Sequence, residues 1–218
     1  EDDIHRVDGK LILNGLFGVS KHEFVGEFEV MRIILNLIPA NRLVRGLDSD
    51  IATLPTWASM SPLCLMPHED LVISSEDVRC FFYIFKLPLS WHPLMAFNRP
   101  LPPKLCGDRA GRWFPCSAVL PMGFKNSVAL AQHIHRLIAK KALVRAGLGS
   151  ELEARKDRTF SVGNPLYRIY LDNFDELRRV SKGMAALVAG EVSPLVSGLR
   201  EEYALLGVPR HPKKSVSS

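Results

Sequence analysis

The sequence predicts an α+β fold, in which strand-length segments are combined with longer segments of helical periodicity. Residues Phe28–Asn36 form an apolar, β-branched segment around a single Arg32, which predicts a buried strand that carries one cation. Residues Leu166–Leu171 alternate apolar and polar side chains, as a strand with one buried face does. Between them, the segment that follows Ser127 repeats its apolar residues at helical spacing.

The two predicted helices have recognisable ends. The first begins at Asn126 or Ser127, because either side chain can cap a first turn, and it ends at Gly147. The second is predicted over Leu195–Leu206 and ends at Gly207. The predicted buried face of the first helix comprises Leu130, Ile134, Leu137, Ile138 and Leu143.

The remaining segments connect these elements. Residues 46–70 are rich in turn formers and predict mostly loop, whereas Leu71–Ile73 predicts a short strand that leads to Asp77. Residues 86–116 are rich in proline and predict an irregular connection with one hairpin, which includes Arg112–Leu120. The Asp172-Asn173 pair between apolar strand residues predicts a tight turn.

Length and composition set the first limits on function. With 218 residues and 47% hydrophobic content, the chain can form one domain or two small ones. Its net charge of +5 and pI near 9.1 are compatible with a polyanionic partner, and equally with an ordinary mildly basic protein. No apolar run approaches the roughly 18–20 residues of a membrane span, so we expect no membrane partner. The cysteines form no CxxC pair, which favours reduced thiols in an intracellular protein of the nucleus or the cytoplasm.

Three short motifs follow one another along the chain. The first places Asp77 within Glu76–Tyr83, the second is Leu120–Gln132, and the third is Tyr170–Asn173. In this order they resemble three consecutive active-site motifs of reverse transcriptases, and they look closest to the retrotransposon type. The resemblance covers nearly the whole chain. It implies a polymerase palm, in which an antiparallel sheet packs on helices, together with a fingers subdomain.

Polymerisation chemistry gives two aspartates of these motifs a shared role. Two divalent cations about 3.5–4 Å apart activate the primer hydroxyl and stabilise the leaving pyrophosphate, and Mg²⁺ prefers carboxylate oxygens as ligands. Asp77 at the end of one strand and Asp172 in the turn of another can supply them, although aspartate is also an ordinary residue at strand ends and turns. The resemblance implies that both are catalytic and bind Mg²⁺ or Mn²⁺.

The second motif implies a loop that positions the substrate. Its Pro-x-Gly sequence permits close approach of the backbone just before the helix begins. The resemblance implies that Met122, Gly123 and Lys125 lie against the incoming nucleotide and the template. Met122 departs from the family's usual Gln, which affects one hydrogen bond to the template or the nucleotide.

Four further residues take their roles from the resemblance alone. It implies that Arg32 grips the triphosphate, that Phe82 excludes a ribose 2′-hydroxyl and so selects deoxynucleotides, and that Tyr170 is part of the substrate-binding surface. Lys214 matches a lysine near the leaving pyrophosphate, where it can donate a proton. Core packing for Phe82 and a solvated basic tail for Lys214 are the structural alternatives.

The resemblance also divides the chain. It implies a fingers-like part over residues 1–70 and a palm-like part over residues 71–218, with fingers elements interleaved at about 86–120. We expect thumb and ribonuclease H domains to be absent from this chain and to be supplied by a longer polyprotein. The implied partners are an RNA or DNA primer–template and deoxynucleoside triphosphates.

Asn173 stands where the family usually has a second aspartate. Its amide offers a carbonyl oxygen but no negative charge, which should weaken the binding of at least one cation. Two functions therefore stay open: an RNA-directed DNA polymerase fragment of a retroelement that works with Asn173, and a catalytically inactive, nucleic-acid-binding remnant of such an enzyme. A basic globular protein with accidental motif matches is a third.

Overall fold

The computed structural model describes residues 3–60, 63–107, 110–159, 163–211 and 216–217 of the chain. The chain forms two compact units, each assembled from two segments of sequence. Unit 1 comprises Glu1–Leu47 with Phe82–Ser127, and unit 2 comprises Asp48–Phe81 with Val128–Ser218. The predicted division into fingers-like residues 1–70 and palm-like residues 71–218 remains a prediction.

Unit 1 is built on an antiparallel ribbon. Its elements are β1 (Arg6–Val7), β2 (Lys10–Leu11), β3 (Gly15–Val25), β4 (Phe28–Asn36), α1 (Ile38–Asn41) and α2 (Pro103–Cys106), with a 3₁₀ helix at Leu89–Met95. Strand β3 pairs with β4, and β1 pairs with β2. Isolated antiparallel bridges join Lys86 to Val119 and Ala96 to Cys116, but within the described residues of this segment no two strands pair as the predicted hairpin would.

Strand β4 has the bounds that the sequence predicts, but the prediction that it is buried is wrong. Phe28 is 80% exposed and Ile33 is 60% exposed. Within the described ranges β4 pairs with β3 alone. Because the side chains of a strand alternate between two faces, an apolar strand in a two-stranded ribbon is buried only where other layers cover both faces. Arg32 is also exposed, opposite Val19 of β3.

Unit 2 contains a four-stranded antiparallel sheet. Its strands are β5 (Glu69–Asp77), β6 (Leu166–Tyr170), β7 (Asn173–Ser181) and β8 (Val216–Ser217), in the order β6-β7-β5-β8. Its helices are α3 (Ser127–Arg145, of which unit 2 holds all but the first residue), α4 (Ala185–Val188) and α5 (Pro194–Leu205). Short 3₁₀ helices lie at Asp50–Thr53, Trp57–Met60 and Ser150–Leu152. The predicted loop over residues 46–70 therefore contains two of these turns and the start of β5.

The two faces of the sheet differ in character. One face presents Tyr167, Ile169 and Phe174, each at most 2% exposed. Hydrogen bonds from α3 to the backbone of β6 and from Ser193, at the start of α5, to Glu176 of β7 join this face to the helices. The mixture of helices and an antiparallel sheet confirms the predicted α+β class. The opposite face carries polar side chains near the strand ends.

Helix α3 begins at Ser127 as the sequence predicts and ends at Arg145, two residues before the predicted Gly147. Of its predicted buried face, Ile138 and Leu143 are buried. Leu137 is 49% exposed, whereas Ala139 and Ala142 are fully buried or nearly so. A Cβ atom added to Gly198 of α5 would lie 3.3 Å from the Ala142 carbonyl oxygen. Because the two helices approach so closely, small residues occupy the contact. The predicted cap residues are bonded elsewhere: Ser127 Oγ donates to the Pro121 carbonyl, and Asn126 bonds to the backbone of Arg45 and Leu47.

No helix within the described ranges has the length and apolar character needed to cross a membrane. Each of the four cysteines is a free thiol.

Candidate active site

A cleft of about 790 Å³ lies where the ends of three neighbouring strands meet in unit 2. Asp77 of β5 is opposite Asn173 of β7, and Asn173 is opposite Tyr170 of β6. Residues directly opposite one another point to the same face of a sheet, so these three side chains form one row. The cleft is lined by this row, by a second row of Ser75, Asp175 and Arg168, and by Pro55, Thr56 and Glu76.

The sheet register brings Asp77 next to the turn between β6 and β7. Asp77 is the last residue of β5 and is 8% exposed. The N–H of Val78 donates a hydrogen bond to the carbonyl oxygen of Asp172 at 2.9 Å, which ties the end of β5 to the turn. Asp77 and Asp172 are therefore adjacent in space although they are remote in sequence. Their binding of metal remains a prediction.

The turn itself is centred on Leu171 and Asp172. The sequence predicts a turn at Asp172-Asn173, but Asn173 is already the first residue of β7 and pairs with Tyr170. Leu171 has a φ angle of +54°, in the left-handed region. That conformation costs a residue other than glycine roughly 1–2 kcal/mol. The turn lies one residue earlier than predicted and is strained just before Asp172.

Two side chains of α3 hold the strained residue in place. Gln132 Oε1 accepts a hydrogen bond from the Leu171 N–H at 2.9 Å, and Gln132 Nε2 donates to the Ile169 carbonyl at 3.0 Å. His135 Nδ1 is hydrogen-bonded to the Leu171 carbonyl oxygen. Both backbone polar groups of Leu171 thus have a helix side chain as partner. Gln132 belongs to the second motif, but the motif does not predict its contact with Leu171. No sequence pattern predicts the contact of His135 with Leu171.

The ligand set available for a metal is small. Within the described part of the chain, no three His, Cys, Asp or Glu side chains are grouped so that they could hold an ion by themselves. Mg²⁺ is often bound by only one or two carboxylates, with water and substrate phosphates as its other ligands. Asp77 and Asp172 fit that pattern. Asn173 Nδ2 donates to Asp172 Oδ1 at 3.1 Å, so an amide stands where a second aspartate would place a negative charge.

Asp175 lies in the cleft but is already bonded through both carboxylate oxygens. Arg168 Nε donates to Asp175 Oδ2 at 2.6 Å, and Ser75 Oγ donates to Asp175 Oδ1. An arginine that neutralises a carboxylate competes with a cation for the same oxygens. Asp175 therefore does not replace the carboxylate that is missing at Asn173.

Further carboxylates are buried on the helix side of the sheet. The side chain of Glu76 is fully buried and accepts hydrogen bonds from Arg200 Nε at 2.6 Å and from Arg210 Nε at 2.8 Å. Glu176 accepts a hydrogen bond from Ser193 Oγ at 2.8 Å, and burial raises the pKa of its carboxyl group. These groups join the sheet to the C-terminal part of the chain and face away from the row that contains Asp77.

In unit 1, the second motif forms a loop held by the segment that follows β4. Asn41 Nδ2 donates to the Gly123 carbonyl at 2.8 Å, and Asn41 Oδ1 accepts from the Lys125 N–H at 2.7 Å. Lys125 Nζ donates to the Val44 carbonyl at 3.0 Å. Gly123 has a φ angle of +91°, and a Cβ atom there would lie 3.0 Å from the Leu35 carbonyl oxygen, so the position favours glycine. Contact of this loop with a nucleotide remains a prediction.

The other predicted site residues are distributed as follows. Arg32 is exposed on β4, and Met122 is 46% exposed. Phe82 is half-buried in the 3₁₀ helix Phe81–Ile84. Lys214 lies outside the described residues. The structure brings together Asp77, Asp172, Asn173 and Tyr170 in unit 2, and it groups Gly123 with Lys125 in the loop of unit 1.

Comparison with known proteins supports the fold. Neither a protein-family model nor a curated protein sequence matches the chain. Among solved structures, that of a foamy viral protease–reverse transcriptase in complex with double-stranded DNA is similar, with a TM-score of 0.56 and 16% identity. The match covers 94% of this chain and 27% of the viral one. At this identity the similarity shows the fold alone: this chain is folded like a part of that viral protein.

Proposed function

We propose that the chain is an RNA-directed DNA polymerase fragment of a retroelement, which transfers deoxynucleotides onto a primed template. The observation that carries the proposal is the pairing of Asp77 with Asn173, which brings Asp77 beside the turn that contains Asp172. The fold similarity to a reverse transcriptase supports it. We assign the four-stranded sheet with α3 and α5 to the palm, and unit 1 to the fingers.

The carboxylates of Asp77 and Asp172 would hold Mg²⁺ or Mn²⁺, with the side-chain oxygen of Asn173 as an uncharged ligand. Bound there, the cations would supply activation of the primer 3′-hydroxyl and neutralisation of the leaving pyrophosphate. To bind the cations, the two carboxylates need only to lie next to each other. The β5–β7 register supports this because it pairs Asp77 with the residue that follows Asp172. Because Asn173 lacks a charge, we expect weaker cation binding than two aspartates in the turn would give.

The remaining roles follow from the motif resemblance. In this proposal Arg32 grips the triphosphate, Phe82 excludes a ribose 2′-hydroxyl, and Lys214 donates a proton to the leaving pyrophosphate. Met122 and Gly123 position the nucleotide and template, and Tyr170 contributes to the surface of the cleft. The bond from Lys125 Nζ to the Val44 carbonyl suggests that Lys125 acts mainly by supporting the loop.

One observation favours a second candidate, a nucleic-acid-binding remnant without catalysis. The Asn173 amide donates a hydrogen bond to the Asp172 carboxylate, and it thereby occupies an oxygen that a cation would use. Such a protein would bind primer–template through phosphate contacts that weaken with salt, and it would do so without a divalent cation.

The two candidates are separated by primer extension on a primed RNA template with deoxynucleoside triphosphates and Mg²⁺ or Mn²⁺. Wild type, Asp172→Ala and Asn173→Asp are compared, and primer–template binding is measured for each. The proposal predicts extension by the wild type, loss of extension in Asp172→Ala, and equal binding by all three.

The other outcomes discriminate between the candidates. Extension by Asn173→Asp alone would identify a polymerase scaffold that the asparagine has disabled. Tight binding without extension by any variant would favour the remnant. The absence of both extension and binding would contradict the proposed function.

A further inference from the structure

A histidine and a tyrosine are bonded to each other beneath the β6–β7 turn, on the helix side of the sheet. His135 of α3 and Tyr203 of α5 are both 0% exposed. His135 Nε2 and the Tyr203 hydroxyl oxygen are 2.5 Å apart, and the ring of Phe81 packs 5.2 Å from the imidazole. The other imidazole nitrogen is bonded to the Leu171 carbonyl. The pair therefore connects α5, through α3, to the residue that precedes Asp172.

The direction of the two hydrogen bonds of His135 follows from the Leu171 carbonyl group, which is the last acceptor in the series. A carbonyl oxygen can only accept, so His135 Nδ1 must carry the hydrogen that it donates to Leu171. In a neutral imidazole Nε2 is then an acceptor, and the Tyr203 hydroxyl must donate to it. Burial lowers the pKa of His135 to about 4 and raises the pKa of Tyr203 well above its ordinary value, so both groups are neutral at physiological pH. The charged groups Glu76, Arg210 and Asp77 also act on the pKa of Tyr203, but burial is the larger cause of its shift.

The last acceptor in this series of hydrogen bonds is the carbonyl of Leu171, the residue with the strained backbone conformation. Leu171 keeps a φ angle of +54° without the freedom of glycine. A conformation of this kind persists where the surroundings over-determine it. The carbonyl of Leu171 is directed by His135 and its N–H is directed by Gln132. Release of either bond should allow the residue to relax, and Asp172 would then move with it.

We propose that His135 and Tyr203 are positioning residues, which hold Leu171 in its left-handed conformation and so keep the Asp172 carboxylate beside Asp77. This inference rests on the proposed function in so far as it concerns cation binding. Residues that orient metal ligands through a second layer of contacts commonly change affinity by about ten- to a hundredfold when they are replaced.

The experiment uses variants that keep the packing and remove one or both of the hydrogen bonds of His135. Tyr203→Phe keeps the ring and removes the hydroxyl. His135→Leu removes both bonds, whereas His135→Asn keeps a side-chain amide that can donate to the Leu171 carbonyl. His133→Asn is the matched control, because His133 lies on the exposed side of the same helix. Thermal unfolding of each variant checks that it is folded.

Three measurements are made on these proteins. The ¹⁵N chemical shifts of the His135 imidazole and the amide hydrogen exchange of Leu171 and Asp172 do not depend on any activity. The third measurement is Mn²⁺ affinity by electron paramagnetic resonance. We expect the Nδ1–H tautomer in the wild type and faster exchange in Tyr203→Phe and His135→Leu. We expect Mn²⁺ affinity to fall about tenfold in these two variants and to stay near wild type in His135→Asn and His133→Asn.

A further variant tests the backbone strain at Leu171 itself. Leu171→Gly adopts the left-handed conformation without steric cost. In that background Tyr203→Phe should reduce Mn²⁺ affinity less than it does in the wild type, since the two changes act on one conformation.

The outcomes separate this inference from the function on which it rests. An Nε2–H tautomer in the wild type, or unchanged exchange and Mn²⁺ affinity in folded His135→Leu, would overturn the positioning role. If the wild type binds no Mn²⁺, the proposed function fails instead. In that case, hydrogen exchange at Leu171 still shows whether His135 and Tyr203 hold the turn.

Discussion

Asp77, the last residue of β5, lies directly opposite Asn173, the first residue of β7, in the register of the central sheet. The pairing places an acid beside an amide, and the residue before that amide is Asp172. Asp77 and Asp172 are therefore adjacent at one end of the sheet, and the Asn173 amide donates a hydrogen bond to the Asp172 carboxylate. The chemistry of this site depends on whether the amide weakens cation binding or prevents it.

Replacement of Asn173 by aspartate should raise cation affinity and lower stability in the absence of cations. A third negative charge would repel Asp77 and Asp172, and we expect a loss of about 1 kcal/mol in the free energy of unfolding. Addition of Mg²⁺ or Mn²⁺ should restore stability, because a ligand of the folded state stabilises it. Thermal unfolding with and without cation measures both effects. Asn98→Asp, an exposed change in unit 1, should respond to neither condition.

Loss of the buried Glu76 carboxylate should destabilise unit 2 strongly. Its side chain is fully buried between two arginines, and removal of one partner of such a group typically costs about 3 kcal/mol or more. We therefore expect Glu76→Gln to lower the midpoint of urea unfolding clearly. Glu201→Gln is the control, because Glu201 is 59% exposed and lies 3.7 Å from Arg145. Its effect should stay below about 0.5 kcal/mol. Similar effects of both variants would show that Glu76 does not join the sheet to Arg200 and Arg210.

Stability should fall as the pH is lowered below about 6.5 because His135 is buried as a neutral imidazole. Its pKa is lowered from 6.5 to about 4 in the folded protein. Above pH 6.5 the imidazole is neutral in both states, so it contributes no pH dependence. Between 6.5 and 4 the unfolded state binds a proton that the folded state does not, and the folded state loses up to about 3 kcal/mol.

This dependence is measured by urea unfolding at a series of pH values. His135→Asn should flatten the curve between pH 6.5 and 4, whereas His68→Asn at an exposed position should leave it unchanged. An identical curve for His135→Asn and the wild type would contradict the buried, neutral histidine.

Substitution of Gly123 should disturb the loop of unit 1. Alanine there meets both a φ angle of +91° and a contact of 3.0 Å with the Leu35 carbonyl oxygen. We expect a loss of about 2 kcal/mol or more. Gly26→Ala, at a φ angle of +63° with no atom within 4 Å, isolates the conformational part and should cost about 1 kcal/mol. Equal effects in unfolding experiments would show that the Leu35 contact is unimportant.

Local patterns predicted several elements well. The bounds of β4 agree with the predicted ones. Helices α3 and α5 begin and end within two residues of their predicted limits, because capping residues and glycines mark helix ends. The alternation of Leu166–Leu171 also predicted β6. Burial was less predictable. Whether an apolar β4 or Leu137 is covered depends on which element packs there, and no local pattern encodes that.

The candidate site illustrates the same limit. The sequence predicted Asp77 and Asp172 as partners, but it placed the turn one residue too late. An ordinary turn rule favours Asp-Asn over a left-handed Leu171, and the preference is overridden by Gln132 and His135, which lie more than thirty residues away in sequence. Contacts of that range are set by the packing of α3 on the sheet.

The most direct test of the central claim is the location of bound Mn²⁺. Paramagnetic broadening of amide signals in ¹⁵N-labelled protein reports which residues lie near the ion. We expect broadening to be strongest at Asp77, Val78, Asp172 and Asn173, and to disappear in the Asp77→Asn/Asp172→Asn double variant. Broadening centred on another part of the chain, or unchanged in the double variant, would contradict a divalent-cation site formed by these two aspartates.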